Sequence, residues 1–431
     1  MGAAPSTPTA AQREELQRRR DEIIERAACA LARSDAILLM TGAGWSADSG
    51  LAVYADVANV QAYHEKSLTY RDLCQPSWLN DDPALFYGFW GQCFNDYRAA
   101  APHEGYRIVA RWRDELCMRS SAAEALRARC GTPGAFFSFT SNVDAHSLHH
   151  FSPLEVRECH GNAESWQCAN RRCAAAPASP EGVPEERTGS PPDEKTLPIR
   201  WGAPAGFRFA VDGETALAPQ GPPGSAASGA SCEEAAAFAS NWPTCLHCGG
   251  AARPSILMFS DIAWHDDEEQ EARWEAWREA VKALARDRPS FRLTVVEVGA
   301  GGNVTTVRNL AEEVLADVRE SATATLVRIN PELPLADRKE NQEHTFSVLS
   351  NGLEAIRAID EAMQRVRMEM KVGDVEEGAL PPKLHTVLES TPEKKEGVVN
   401  PLLDAESLSL FKQLDELNAQ LGQQLEDKSL A

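Results

Sequence analysis

The sequence has no apolar run near the roughly 18 residues that a membrane-spanning helix requires, so it predicts no such span. It also lacks a cationic excess. Its 43 lysines and arginines stand against 64 aspartates and glutamates, a formal charge of -21, which argues against non-specific nucleic-acid binding. The N-terminal stretch has no apolar signal core and turns charged after Gln12, so neither secretion nor organelle import is expected. The expected location is cytoplasmic or nuclear. An even cysteine count is missing too: 11 cysteines cannot all pair. Without a secretory signal they indicate a reducing compartment, where spaced cysteine pairs hold metal more often than they form disulfides. What remains is an ordinary globular composition, 43% apolar, over 431 residues, enough for a core domain with insertions and tails.

The apolar run Ile37 to Met40 reads as a strand buried on both faces. A turn with Gly42 and Gly44 follows, and with Ala47 it fits the loose dinucleotide pattern GxGxxA. Taken alone, the same glycines suit any strand-to-helix turn. An amphipathic helix over 11–34 precedes this strand. Ala55 to Leu79 shows no clear strand, so the second strand and ribose-binding acid of a conventional dehydrogenase half-fold are missing there. Ala84 to Trp112 reads as two helices broken near Pro102, with Phe86, Phe89 and Trp90 filling a core or lining an apolar channel.

Ala135 to Thr140 is a second strand, running into Ser141, Asn142, Val143 and Asp144. A short extended piece, Leu154 to Glu158, ends at Cys159, His160 and Gly161. From Cys168 to Cys245 the chain is rich in Ala, Pro, Gly and Ser and reads mostly as a loosely ordered insertion. Beyond it come the apolar Ile256 to Phe259 and a helix from Asp266 to Arg286. A strand, Leu293 to Val298, ends in a glycine-rich turn; a helix from Val304 to Glu320 and a strand from Ala324 to Ile329 follow. Residues 343–369 read as helix, and Ala405 to Leu425 as a tail helix. The expected division is an N-terminal helix (1–35), a discontinuous catalytic domain (36–165 with 251–370), a metal-binding module with its insertion (166–250) and a polar tail (371–431).

Four apolar strands alternating with helices predict an α/β fold, a Rossmann-like parallel sheet with helices on both faces. Ligands of such sheets bind beyond the carboxyl ends of the strands. Gly42, Gly44, Asn142, Asp144, Gly299, Gly301 and Asn330 should therefore converge on one crevice. Asn142 and Asp144 also suit the capping of a strand-to-helix turn. Cys168-x4-Cys173 and Cys245-x2-Cys248 offer four thiolates, a complete tetrahedral shell for structural Zn2+, with His247 as a possible substitute ligand. Four unrelated buried cysteines are the alternative. The long insertion between the pairs is tolerable because loop-closure entropy grows only logarithmically. Cys159 is rejected as partner of a Cys–His pair, because neighbours in a strand point to opposite faces.

The chain resembles the sirtuins, NAD-dependent protein deacylases. The carriers are TGAGWSADSG (Thr41 to Gly50), TSNVDAH (Thr140 to His146), His160-Gly161, the two cysteine pairs, RPSILMFSD (Arg253 to Asp261), VGAGGNV (Val298 to Val304) and RIN (Arg328 to Asn330), all in the family's order. The resemblance departs where the family continues Pro-Asp-Phe-Arg. Ala52, Val53, Tyr54 and Ala55 stand there, so the acid and the arginine are absent. Ser141 replaces a glutamine, Ala300-Gly301 a Thr-Ser pair and Ser260 a glycine.

The resemblance implies NAD held by its pyrophosphate on Gly42, Ala43 and Gly44 and by its nicotinamide half on Asn142 and Asp144. Ser46, Gly50, Tyr54, Ser141, Gly299, Ala300, Gly301, Asn303 and Asn330 complete the cofactor contacts. It implies His160 as general base, with His146, His149 and His150 as rivals, and Asn142 and Asp144 as further catalytic residues. The implied partner is an acylated protein lysine, with Ile256 to Ser260 offering a strand edge to the peptide. No nucleic acid or membrane partner is expected. The missing acid and arginine keep two alternatives open: protein ADP-ribosylation or NAD hydrolysis, and a catalytically silent protein that binds NAD or ADP-ribose.

Overall fold

The computed structural model describes residues 5–53, 60–171, 173, 199–226 and 231–373. The expected tail helix within 405–425 lies outside them, as do Tyr54, Ala55 and most of the first half of the insertion.

All six residues of β1 (Ala36–Thr41) and all five of β2 (Phe136–Thr140) are buried. Successive side chains of a strand face opposite sides, so such runs demand cover on both faces of the sheet. With β3 (Val156–Glu158), β7 (Arg292–Val298), β8 (Thr323–Ile329) and β9 (Thr345–Val348) they form a six-stranded sheet in the order β3-β2-β1-β7-β8-β9, parallel throughout. By rank within the sheet this is the doubly wound order 3-2-1-4-5-6, in which the winding reverses between the first and fourth strands. The α/β Rossmann-like expectation therefore holds, with six strands rather than four.

The 343–369 reading is corrected. Thr345–Val348 is an edge strand, and the helix begins only at Gly352 and runs to Gly373. The sequence TFSV is rich in strand-favouring residues but too short to show a period. The expected N-terminal helix is two, Ala10–Arg18 and Arg20–Ala32, while Pro83–Ala99 and Glu104–Trp112 match the pair broken near Pro102.

At the reversal the turns after β1 and β7 lock together. The Gly42 amide donates to the Val298 carbonyl at 3.0 Å, and the Gly44 amide to the Gly299 carbonyl at 2.9 Å. A Cβ at Gly44 would sit 2.7 Å from the Gly299 Cα, and one at Gly42 2.7 Å from the Ala300 Cα. Beneath, Arg328 is fully buried yet paired with Glu297 at 2.7 Å and Glu312 at 2.9 Å, an ion cluster joining β7, β8 and the helix Thr306–Arg319. Arg328 of the RIN segment is thus a structural cation.

A second, antiparallel sheet has the order β5-β4-β6, from β4 (Gly161–Cys168), β5 (Arg200–Gly202) and β6 (Ala252–Ile256). The insertion is more ordered than its composition indicates. Trp201, Phe207, Phe209 and Phe238 are buried in a second core with Phe86, Phe89, Phe94 and Trp166. Arg98 ties this part down: its guanidinium pairs with Glu164, donates to the carbonyls of Ala203, Pro204 and Phe207, and lies 4.2 Å from the Phe94 ring centroid. Phe86, Phe89 and Trp90 fill this core rather than line a channel.

Candidate active site and metal centre

Beyond the carboxyl ends of β1, β2 and β3, a cavity of about 220 Å³ opens between the main sheet and the end of β6. Of the residues singled out in the sequence, Ala43, Ser46, Ser141, Asn142, Asp144 and His160 line it. Thr41 and Thr140, facing each other across β1 and β2, share a hydrogen bond of 2.8 Å beneath it. The Thr140 hydroxyl accepts from the Asn142 amide at 3.0 Å, which fixes the start of the loop.

Asp144 is buried and bonded on both oxygens. One accepts from the Ser46 hydroxyl at 2.5 Å, the other from the His146 amide at 2.9 Å. Ser46 belongs to the short helix Ala43–Ala47, so this bond ties the turn after β1 to the loop after β2. Asn142 is also buried, and its side-chain nitrogen has no hydrogen-bond partner among the described residues. A buried, unpaired amide on a cavity wall is costly unless a ligand completes it.

His160 follows β3 directly. Burial holds its imidazole below the ordinary histidine range, and a hydrogen bond to the Ser141 backbone and the nearby Asp266 work the other way, while Arg157 adds to the lowering. The ring is therefore neutral around pH 7, with a lone pair able to take up a proton. Next to it, Gly161 adopts φ +70°, and a Cβ there would lie 1.9 Å from the Ser255 carbonyl oxygen. The Leu257 amide donates to the His160 carbonyl at 2.9 Å, so β6 delivers the wall formed by 256–259 against His160. His146 is buried between Asp144 and the Tyr97 carbonyl, and His150 stacks on Tyr106; neither lines the cavity. Cys159 is a half-buried thiol that desolvation pushes up to about 12, and it is no nucleophile.

Several expectations change. The Gly42 and Gly44 amides donate within the chain, so those glycines serve the close approach of two turns rather than holding a pyrophosphate on their N–H groups. The Asn330 side chain donates to the Ala300 carbonyl at 2.9 Å and accepts from the Glu332 and Leu333 amides, bracing the turns after β7 and β8. Gly50, Gly299, Ala300, Gly301, Asn303 and Asn330 surround the crevice without lining the cavity. Gly50 needs its φ of +80°, with open space where a Cβ would be. Ile256 to Ser260 is not a free strand edge: β6 ends at Ile256, and the amides of Leu257, Met258 and Phe259 donate to His160, Asp261 and Cys74. Ser260 has φ +57°, the left-handed conformation that favours glycine, at the position where the resemblance expects one.

The sequence did not point to Tyr70, Cys74 and Tyr97, which form the cavity's apolar wall with Leu51, Met258 and Phe259. Their helical segments carry no chemical motif. The buried pair Arg253–Asp261, at 2.6 Å, clamps the loop that presents Met258 and Phe259.

At the far end of β4 and β6, Cys168, Cys173, Cys245 and Cys248 bring their sulfurs within 4.8 Å of one another. The contacts of 3.6 Å (Cys168–Cys248) and 3.8 Å (Cys173–Cys245) match the separation of about 3.8 Å that Zn–S bonds of about 2.3 Å give in a tetrahedron. Amides of Asn170 and His247 donate to the Cys168 and Cys245 sulfurs at 3.3 Å each, which favours thiolate. The donor set fits structural zinc, is complete without His247, and leaves no open coordination position.

No family model matches the chain. Over 142 residues, 32% of its length, it is 30% identical to an NAD-dependent protein deacylase of Deinococcus radiodurans. The chain spans about half the length (50%) of that relative. Among solved structures it is similar to a Sir2 homologue in complex with NAD, with a TM-score of 0.43 and 16% identity over 80% of this chain and 94% of that one. It is also similar to a mutant Sir2 homologue in complex with ADP-ribose, with a TM-score of 0.42 and 16% identity over 80% and 97% of the two chains.

Proposed function

We propose that this chain, a distant relative of the sirtuins, is an NAD-dependent protein lysine deacylase that moves the acyl group onto ADP-ribose and releases nicotinamide. The observation carrying this reading is the convergence of Ser46, Asn142, Asp144 and His160 on one cavity beside the 256–259 wall. The relative named NAD-dependent protein deacylase supports it.

The cavity's residues fit the nicotinamide end of NAD. Asn142 offers an unpaired buried amide, and Asp144 is held in place by Ser46 and the His146 amide. Ala43, the residue of the first turn's Gly42–Gly44 stretch that lines the cavity, would stand nearest the pyrophosphate. Ser141, Gly299, Ala300, Gly301, Asn303 and Asn330 would frame the remainder of the dinucleotide. NAD supplies a glycosidic bond whose cleavage frees nicotinamide and leaves the ribose carbon open to the acyl oxygen of the substrate. The neutral His160 ring then accepts the proton of a ribose hydroxyl, and its bond to the Ser141 backbone keeps the ring oriented for that transfer. The apolar wall excludes water from the reacting end. The metal would act at a distance, fixing the far ends of β4 and β6, the two strands whose opposite ends adjoin His160 and carry Ile256.

Purified protein should bind NAD and release nicotinamide only when an acyl-lysine peptide is present, and His160→Ala should keep the binding, lose the acyl transfer and release at most one nicotinamide per enzyme molecule. Release without peptide would instead favour NAD hydrolysis or ADP-ribosyl transfer.

A further inference from the structure

We propose that the cavity is built for a lysine carrying an uncharged aliphatic acyl chain of about six carbons or more, in preference to acetyl-lysine and against acid-terminated acyl groups. The proposal rests on the deacylase reading for the lysine-borne form of its ligand.

The polar side chains on the cavity lining include Ser46, Asn142, Asp144 and His160, with Ser46 bonded to Asp144. The apolar part of the lining is made by Leu51, Tyr70, Cys74, Met258 and Phe259, of which Tyr70, Cys74 and Phe259 touch one another. Burial pushes the Cys74 thiol up to about 12, so it stays uncharged. Phe259 and Tyr70 meet edge to face at 6.5 Å, and Tyr70 meets Phe89 of the second core at 6.0 Å, so the wall is braced from behind. Among the described residues lining the cavity there is no lysine or arginine, and the sequence of 54–59 contains neither.

A carboxylate at the tip of an acyl chain would thus enter a lining with no cation of its own, Arg71 lying over the Phe259 ring and Arg253 being paired with Asp261, and its desolvation would be poorly compensated. Asp144, the one acid among the described lining residues, would repel it. An aliphatic chain gains instead, by roughly fourfold in affinity for each methylene removed from water. Before NAD places its nicotinamide end there, the volume of about 220 Å³ exceeds the roughly 150 Å³ of an apolar cavity that takes up benzene, a six-carbon guest. An acetyl group would leave much of this wall uncovered.

The test uses one fluorescein-labelled peptide carrying acetyl-, hexanoyl- or succinyl-lysine, titrated against the full chain by fluorescence anisotropy without NAD. The same peptides are then assayed with NAD for acyl loss. Hexanoyl should bind about tenfold or more tighter than acetyl, and succinyl roughly a hundredfold weaker than hexanoyl. Met258→Arg should reverse the order of hexanoyl and succinyl, with a thermal melt confirming that the variant folds. Equal affinities, acetyl preference or succinyl binding by the unaltered chain would overturn the proposal. The two readings separate cleanly. The binding order decides this inference even if no peptide is turned over, whereas absence of turnover together with that order would refute only the deacylase reading.

Discussion

Gly161→Ala perturbs the joint between the proposed base and the second sheet. The residue holds φ +70°, where an alanine costs about 1–2 kcal/mol relative to its preferred regions. Its Cβ would fall 1.9 Å from the Ser255 carbonyl oxygen, a backbone atom that cannot swing aside like a side chain. The pairing of Gly161 with Ile256 must then open, and the 2.9 Å bond from the Leu257 amide to the His160 carbonyl is lost with it. That bond contributes about 1 kcal/mol. The sum is a destabilisation of about 2–3 kcal/mol, which for a chain of this size lowers the melting temperature by roughly 2–4 °C. Thermal unfolding followed by circular dichroism measures it, and a parallel activity assay should show a larger loss than the melting shift explains at 25 °C. A variant melting within about 1 °C of the wild type and keeping its activity would refute the argument that the glycine is required by close backbone approach.

Ser260→Gly should stabilise the protein by about 0.5 kcal/mol, the relief of a left-handed serine less the extra chain entropy of glycine, read as a rise in the urea midpoint. Cys173→Ser should reduce bound zinc from one ion per chain to near none by elemental analysis and lower the melting temperature, since three thiolates leave the shell open. Glu158→Gln tests a buried acid. Burial raises the carboxyl to about 7, with Asp144 adding to it, while Asn162 holds one oxygen at 2.5 Å. An acid whose folded value lies above its unfolded one stabilises at low pH and loses that contribution as pH rises through 7. The wild type should therefore lose about 3 kcal/mol relative to the glutamine variant between pH 4.5 and 7.5. Denaturant melts of both proteins across that range check the sign.

The parts of the fold legible in the sequence were those whose burial is complete. β1, β2, β7 and β8 are nearly unbroken apolar runs, and together they imply the doubly wound sheet. β3 showed only as a short extended piece and β9 escaped, because edge strands of three and four residues show no period. The insertion looked loose by composition, yet a few aromatics, Trp201, Phe207 and Phe209, suffice to seat it once Arg98 binds its carbonyls. At the site, the four cysteines were legible because their spacing is itself the chemistry. Gly42 and Gly44 were correctly singled out, but what requires them is the packing of two turns from residues far apart in sequence. The apolar wall of Tyr70 and Cys74 was invisible because nothing local distinguishes a cavity wall from a core.

The most direct test of the account counts molecules. The full chain is incubated with NAD and a hexanoyl-lysine peptide, and mass spectrometry follows nicotinamide, free peptide and acylated ADP-ribose together, with His160→Ala alongside. The account predicts one nicotinamide and one acyl-ADP-ribose for each acyl group removed, and from the variant no free peptide, no acyl-ADP-ribose and at most one nicotinamide per enzyme molecule. Nicotinamide formed by the unaltered chain without loss of the acyl group, or no nicotinamide from a protein that binds NAD, would contradict it.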